Sequence, residues 1–193
     1  GEMITAVLAK YGRIDILVNN AGITKDNLVM KMTEEDFDAV IDTNLKGTFN
    51  TIKHMYRAFL KQRSGSIINM TSVSGVLGNA GQANYSASKA AIESYTCCLA
   101  NEVKPFGISV TCVQPGDICT GFTEARRKSI VGDDVYKGRI SRSVEGMEKD
   151  ERNGMSPEEA GKYIAKIALK PHVKPIYTLG FGYKCLSLLC KLL

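Results

Sequence analysis

Tryptophan is absent, histidine occurs twice and proline five times in 193 residues. His54 and His172 stand far apart in sequence and neither has metal-ligand spacing, so no metal site is expected. The six cysteines, Cys97, Cys98, Cys112, Cys119, Cys185 and Cys190, form no CxxC pair, fall mostly in apolar segments and follow no secretory signal. Reduced thiols in a cytoplasmic protein are the expectation. No apolar run reaches the ~20 residues that cross a bilayer. The apolar stretch over 179–193 is broken by Lys184 and Lys191 and is expected to be a packed terminal helix, with a membrane-surface helix or a pocket lining as the alternatives. A net charge of +5, with no basic stripe among aromatics, gives no case for a nucleic-acid partner. Charge is well mixed and no segment is of low complexity, which excludes a disordered chain.

What is present is alternation. Short apolar, β-rich runs lie at Asp15 to Val18, Ser66 to Met70, Ile108 to Val113 and, more weakly, Pro175 to Thr178. Continuous apolar runs suit parallel strands covered on both faces. Helical patterns separate them. One covers Glu2 to Tyr11. A second is capped by Thr33, with acids in its first turn, and runs towards Arg63 with a break. A third covers Ser86 to Lys104 and stops at Pro105 and Gly107. A fourth starts at Ser156-Pro157 and reaches about Leu169. The order predicts an α/β fold, a doubly wound parallel sheet of Rossmann-like type with right-handed crossovers, in one domain over 1–193. Within it, 121–155 reads as a substrate loop region.

Ligands of such sheets bind at the carboxyl ends of the strands. The unusual residues fall there: Asn19-Asn20-Ala21-Gly22 after the first strand, Thr71-Ser72 after the second, Pro115-Gly116 after the third. Tyr85 and Lys89, four apart, share one face of a helix. A free phenol has a pKa near 10 and makes a poor acid/base at neutral pH unless a nearby ammonium stabilises its anion. Ser72 can donate a hydrogen bond to a carbonyl gaining negative charge. Asn44, inside a helical pattern, reads by itself as a surface residue or a kink. Arg126, Arg127, Lys128, Lys137, Arg139 and Arg142 read as a solvated loop.

The ordered set of Asn19-Asn-Ala-Gly22, Thr43-Asn-Leu-Lys-Gly-Thr-Phe49, Ser72, Tyr85-Ser-Ala-Ser-Lys89 and Pro115-Gly-Asp-Ile-Cys-Thr120 resembles the short-chain dehydrogenase/reductase family. From Asp15 to about Thr120 it is most similar to the 3-oxoacyl-(acyl-carrier-protein) reductases. The resemblance implies that Tyr85 exchanges a proton with the substrate oxygen. Lys89 would lower the Tyr85 pKa and bind the nicotinamide ribose, Ser72 would polarise the carbonyl, and Asn44 would hold a water. It further implies that Asn20, Ala21 and Gly22 lie along the adenosine side of the cofactor, and that Pro115, Gly116, Ile118 and Thr120 border the nicotinamide beside Tyr85 and Lys89. The implied cofactor is NADP(H) rather than NAD(H), and the implied partners are a small carbonyl or alcohol substrate, a carrier-bound acyl chain among them. A homodimer or homotetramer pairs through the two long helices.

Two departures qualify the resemblance. The glycine-rich turn that meets a pyrophosphate is not in this sequence, nor is the residue that separates NAD from NADP. The N-terminal βαβ portion of the fold is thus expected to be missing, the chain to be a piece of a longer reductase, and its own dinucleotide affinity to be weak or nil. Secondly, Arg63 matches one basic carrier-docking position, but Phe106 occupies the other. The long charged stretch 126–153 resembles family members acting on larger lipophilic alcohols and ketones. A dehydrogenase for another lipophilic substrate, and a catalytically silent dimerisation module, are therefore the alternatives.

Overall fold

In a computed structural model the chain is described over residues 1–128 and 132–192; the side chains of Arg127, Lys128 and Lys191 lie outside that description. Four parallel strands form the main sheet: β1 (Ile16–Asn19), β3 (Gly65–Met70), β4 (Ile108–Gln114) and β6 (Ile176–Thr178), side by side in that order. The strands fall where their apolar runs predict, within a residue or two at each end. A second parallel ladder, β2 (Lys25–Asp26) with β5 (Arg127–Lys128), was not legible in the sequence, because two residues carry no period.

Helices cover both faces. Along β3, successive side chains point opposite ways. Ile67 joins Ile52, Met55, Phe59, Leu99 and Val103 of α3 (Gly47–Gln62) and α5 (Ala83–Val103), together with Ile4 of α1 (Glu2–Tyr11). Ile68 and Met70 join Ala160, Ile167 and Ala168 of α8 (Pro157–Ala168) on the other face. The α/β architecture expected from the alternation is therefore present.

The hand of one connection differs from expectation. The sheet grows in one direction from β1 to β6, yet α5, which links β3 to β4, and α8, which links β4 to β6, lie on opposite faces. The two crossovers have opposite hands. The right-handed preference belongs to compact strand–helix–strand units. Between β4 and β6 the chain instead passes over the strand tips through α6 (Phe122–Ala125), β5 and α7 (Arg139–Arg152) before α8 begins.

Local rules place the helices that carry the site. Thr33 caps α2 (Glu34–Ile41): its Oγ1 accepts the Asp36 N–H at 3.1 Å. The expected break before Arg63 is a π-turn over Asp42–Lys46, centred on Asn44, after which α3 resumes. Ser156 caps α8 as its sequence predicts, accepting the Glu159 N–H at 3.2 Å. α5 starts at Ala83, three residues ahead of its expected start at Ser86.

Covering is less complete than the apolar runs suggest. Ile16 and Val18, on one face of β1, are 39% and 41% exposed. The last helix, α9 (Phe181–Leu192), packs Tyr183 and Ser187 inward and leaves Phe181, Leu188, Leu189 and Leu192 outward. Cys98, Cys119, Cys185 and Cys190 are exposed and only Cys112 is buried, although most cysteines stand in apolar sequence; none of the six is in a disulfide. Among the described residues no helix is long and apolar enough to cross a membrane, and no group of side chains is arranged to hold a metal ion.

Candidate active site

A cleft of about 520 Å³ opens over the carboxyl ends of β1, β3 and β4. Its lining includes Asn20, Ala21, Gly22, Ser72, Tyr85, Lys89, Pro115, Gly116, Ile118 and Thr120, so the sequence-predicted residues other than Asn44 share one cavity. Ser72 stands at the tip of β3 in the same cleft as Tyr85, and its hydroxyl accepts the Ser74 N–H at 3.2 Å. Tyr85 and Lys89 lie one turn apart on α5, the ammonium 5.5 Å from the ring centroid.

Asn44 is fully buried outside the cleft lining. Its carboxamide acts as a peptide mate for the loop after β1. Oδ1 accepts the Ile23 N–H at 2.8 Å, while Nδ2 donates to the Ile23 carbonyl at 3.1 Å and to Ser88 Oγ at 3.0 Å. The π-turn aims that side chain, a use to which such turns are often put at functional sites. Its own carbonyl accepts Thr48 Oγ1 at 2.8 Å. Asn44 therefore clamps the Asn20–Ala21–Gly22 loop to α5, a contact the sequence reading did not foresee.

The electrostatics also depart from expectation. Burial pushes the Tyr85 phenol up to about 12, and the Ser72 hydrogen bond and the Arg126 charge only partly oppose it. Burial lowers Lys89 to about 8, and its Nζ donates to the Met70 carbonyl at 2.9 Å. Lys89 thus spends its proton on the strand and is itself easily neutralised. The same ammonium faces the Tyr85 ring from one helical turn away.

Arg126 is the clearest residue that sequence reasoning missed. It is buried, not solvated; Lys137, Arg139 and Arg142 are exposed, as expected. Nothing in a run of charged residues marks the one that turns inward. Gln114 is a second such residue. Fully buried at the end of β4, it donates to Glu93 at 2.5 Å and accepts from Thr178 at 2.8 Å and Ser187 at 3.3 Å, tying α5, β6 and α9 together. Tyr183 of α9 is a third: its ring covers Gly116 and its hydroxyl donates to Asp117. A Cβ at Gly116 would strike that ring. Gly116→Ala is expected to cost about 1–3 kcal/mol in urea unfolding, as overpacking does. A second change, Tyr183→Ala, should make Gly116→Ala nearly neutral.

At Gly22 a Cβ would stand 3.4 Å from both Lys89 Nζ and Asn44 Oδ1, so the bare backbone leaves the cleft open beside the ammonium. Arg63 and Phe106, where the resemblance implies carrier docking, precede β3 and β4, at the end of the sheet away from the cleft.

Residues 1–130 match the family described as short chain dehydrogenase. A 3-oxoacyl-(acyl-carrier-protein) reductase of Staphylococcus epidermidis is 53% identical over 124 residues, 64% of this chain and 51% of that protein. Its counterpart in Thermotoga maritima is 52% identical over 123 residues, 64% of this chain and 50% of that one. The chain thus spans about half the length of these curated relatives. A solved short-chain dehydrogenase from Streptomyces avermitilis superposes with a TM-score of 0.84 at 29% identity, covering 97% of this chain and 68% of that one. With its strand-tip cleft, its Tyr85–Lys89 helix and a family match over most of its length, the chain belongs to the short-chain dehydrogenase family.

Proposed function

We propose that this chain carries the acid/base site of an NAD(P)-dependent reductase that interconverts a carbonyl and a secondary alcohol, with 3-oxoacyl thioesters as substrates. The single observation behind this is that Tyr85, Ser72 and Lys89 share a cleft edged by the Asn20–Gly22 and Pro115–Thr120 loops. Half-buried Tyr85 holds its proton at neutral pH and can release it only to a neighbour gaining negative charge. Ser72 orients that neighbour by donating to the same oxygen. Asn20, Ala21, Gly22, Pro115, Gly116, Ile118 and Thr120 would hold the dinucleotide, with Lys89 under its ribose. When bound, the dinucleotide supplies the hydride. Asn44 keeps the first loop in place.

The preference for carrier-bound substrates rests on the names of the relatives, and that for NADP(H) on the resemblance to the same reductases. Phe122 and Met147 in the lining favour a second substrate class, a lipophilic ketone without a carrier. A groove of about 640 Å³ along α3 and α5, with Phe49 and Tyr95 in its wall, supports pairing of subunits through those helices as a homodimer or homotetramer. Six cysteines held as thiols rather than disulfides support a cytoplasmic setting. The test compares NADPH and NADH oxidation by the natural full-length protein, with acetoacetyl thioester and with a bulky ketone. Turnover of the thioester with NADPH is the expected result. Dinucleotide binding without turnover of either substrate would favour the silent module.

A further inference from the structure

The reaction above makes no use of an ion cluster buried in the wall of the same cleft. Arg126 donates through Nη1 to Asp26 Oδ2 at 2.5 Å and through Nη2 to Glu151 Oε1. The three side chains are 1%, 1% and 14% exposed. Asp26 also accepts from Gln82 Nε2 at 3.2 Å and from the Thr24 hydroxyl, and Glu151 accepts from Thr123 Oγ1 at 2.7 Å. The Arg126 Nε–H has no hydrogen-bond partner among the described residues.

Taking three charges out of water is costly, and packed apolar side chains would often be at least as stable. Stability is therefore a weak reason for the cluster, and its position suggests a better one. Arg126 and Glu151 line the cleft with Tyr85. The Phe122 ring lies between them, 6.2 Å from the Tyr85 ring and 5.7 Å from Arg126 Cζ. The cluster thus stands one aromatic ring away from Tyr85, near enough for its charges to act on the phenol.

We propose that Asp26, Arg126 and Glu151 are positioning residues for catalysis: two carboxylates against one guanidinium leave a net negative charge that keeps the Tyr85 hydroxyl protonated until a substrate oxygen needs the proton. The proposal rests on Tyr85 being the acid. The groups facing Tyr85 are Lys89 on α5, Ser72 at the tip of β3, Asp26 in β2, Arg126 after α6 and Glu151 on α7, with Asp117 further along the cleft. Glu151 and Asp26 push the phenol upward and Arg126 pulls it down, so removing either acid should release the phenol towards its free value.

The test needs no cofactor. The ionisation of Tyr85 is read as the alkaline ultraviolet difference between each protein and the same protein carrying Tyr85→Phe. Glu151→Gln, close to isosteric, is expected to lower the Tyr85 midpoint by about one pH unit. Asp26→Asn, which still leaves Arg126 paired with Glu151, should lower it too. Thr123→Val removes an uncharged hydrogen bond from Glu151 and should leave the midpoint in place. Unmoved or raised midpoints in both acid variants overturn the proposal, as does an equal drop in Thr123→Val. If the midpoints fail to move but Tyr85→Phe still abolishes turnover in the full-length protein, the cluster's role is lost and the reading of Tyr85 stands. If Tyr85→Phe keeps full turnover, that reading is lost whatever the cluster does.

Discussion

Tyr85→Phe is expected to lower turnover in the natural full-length protein by about a hundred- to ten-thousand-fold, the usual worth of one positioned proton donor. The variant deletes one oxygen and leaves the ring against Phe122, so thermal unfolding should hardly change. Dinucleotide affinity should fall little, since the hydroxyl is one contact among those of two loops. The effect should therefore appear in kcat far more than in KM, as for an interaction that matters mainly in the transition state. Ser72→Ala removes the other donor to the same oxygen and should behave likewise. Equal turnover in Tyr85→Phe and the parent would end the assignment. A loss that tracked KM alone would make Tyr85 a binding residue.

The sequence made the strand-tip site legible because its residues stand at positions with their own signatures. Strand tips are marked by the end of an apolar run, and a helix face by a four-residue step. Tyr85, Lys89, Ser72 and the two loops meet in one cleft for those reasons. The walls of the cleft were not legible. Arg126 reaches Asp26 across a hundred residues through a ladder two residues long. Tyr183 reaches Gly116 only because α9 turns back over the sheet. Such contacts depend on where a long connection travels, and the hand of the β4–β6 crossover shows that the usual rule does not fix that path. Asn44 was an intermediate case. Its residue type signalled a distorted helix, but not which loop the side chain would hold.

Lys89→Met should make the protein more stable and the enzyme worse, and both signs follow from one buried ammonium. In the folded chain Lys89 is buried and its pKa falls from 10.5 to about 8 through desolvation. Between those values the unfolded chain binds a proton that the folded chain does not. Stability therefore rises with pH through this window, and below about 8 the full penalty is present. At ~1.4 kcal/mol per pH unit the penalty is about 3 kcal/mol. Methionine removes it and gives up the hydrogen bond to the Met70 carbonyl, worth about 1 kcal/mol. The net gain at neutral pH should be about 2 kcal/mol, read from urea unfolding. The parent's stability should climb by about 2 kcal/mol between pH ~7 and ~10 while the variant's stays flat. Above pH ~10 Tyr85 opposes the trend, because its phenol is held protonated in the folded chain up to about 12 and ionises earlier in the unfolded one. A variant less stable than its parent at neutral pH, or a parent whose stability is flat across that window, would show that Lys89 is paired more strongly than its contact with Met70 implies. Turnover should fall in either case, since methionine presents no charge to the ribose or to Tyr85. Stability gained where activity is lost is the usual mark of a group kept for its chemistry.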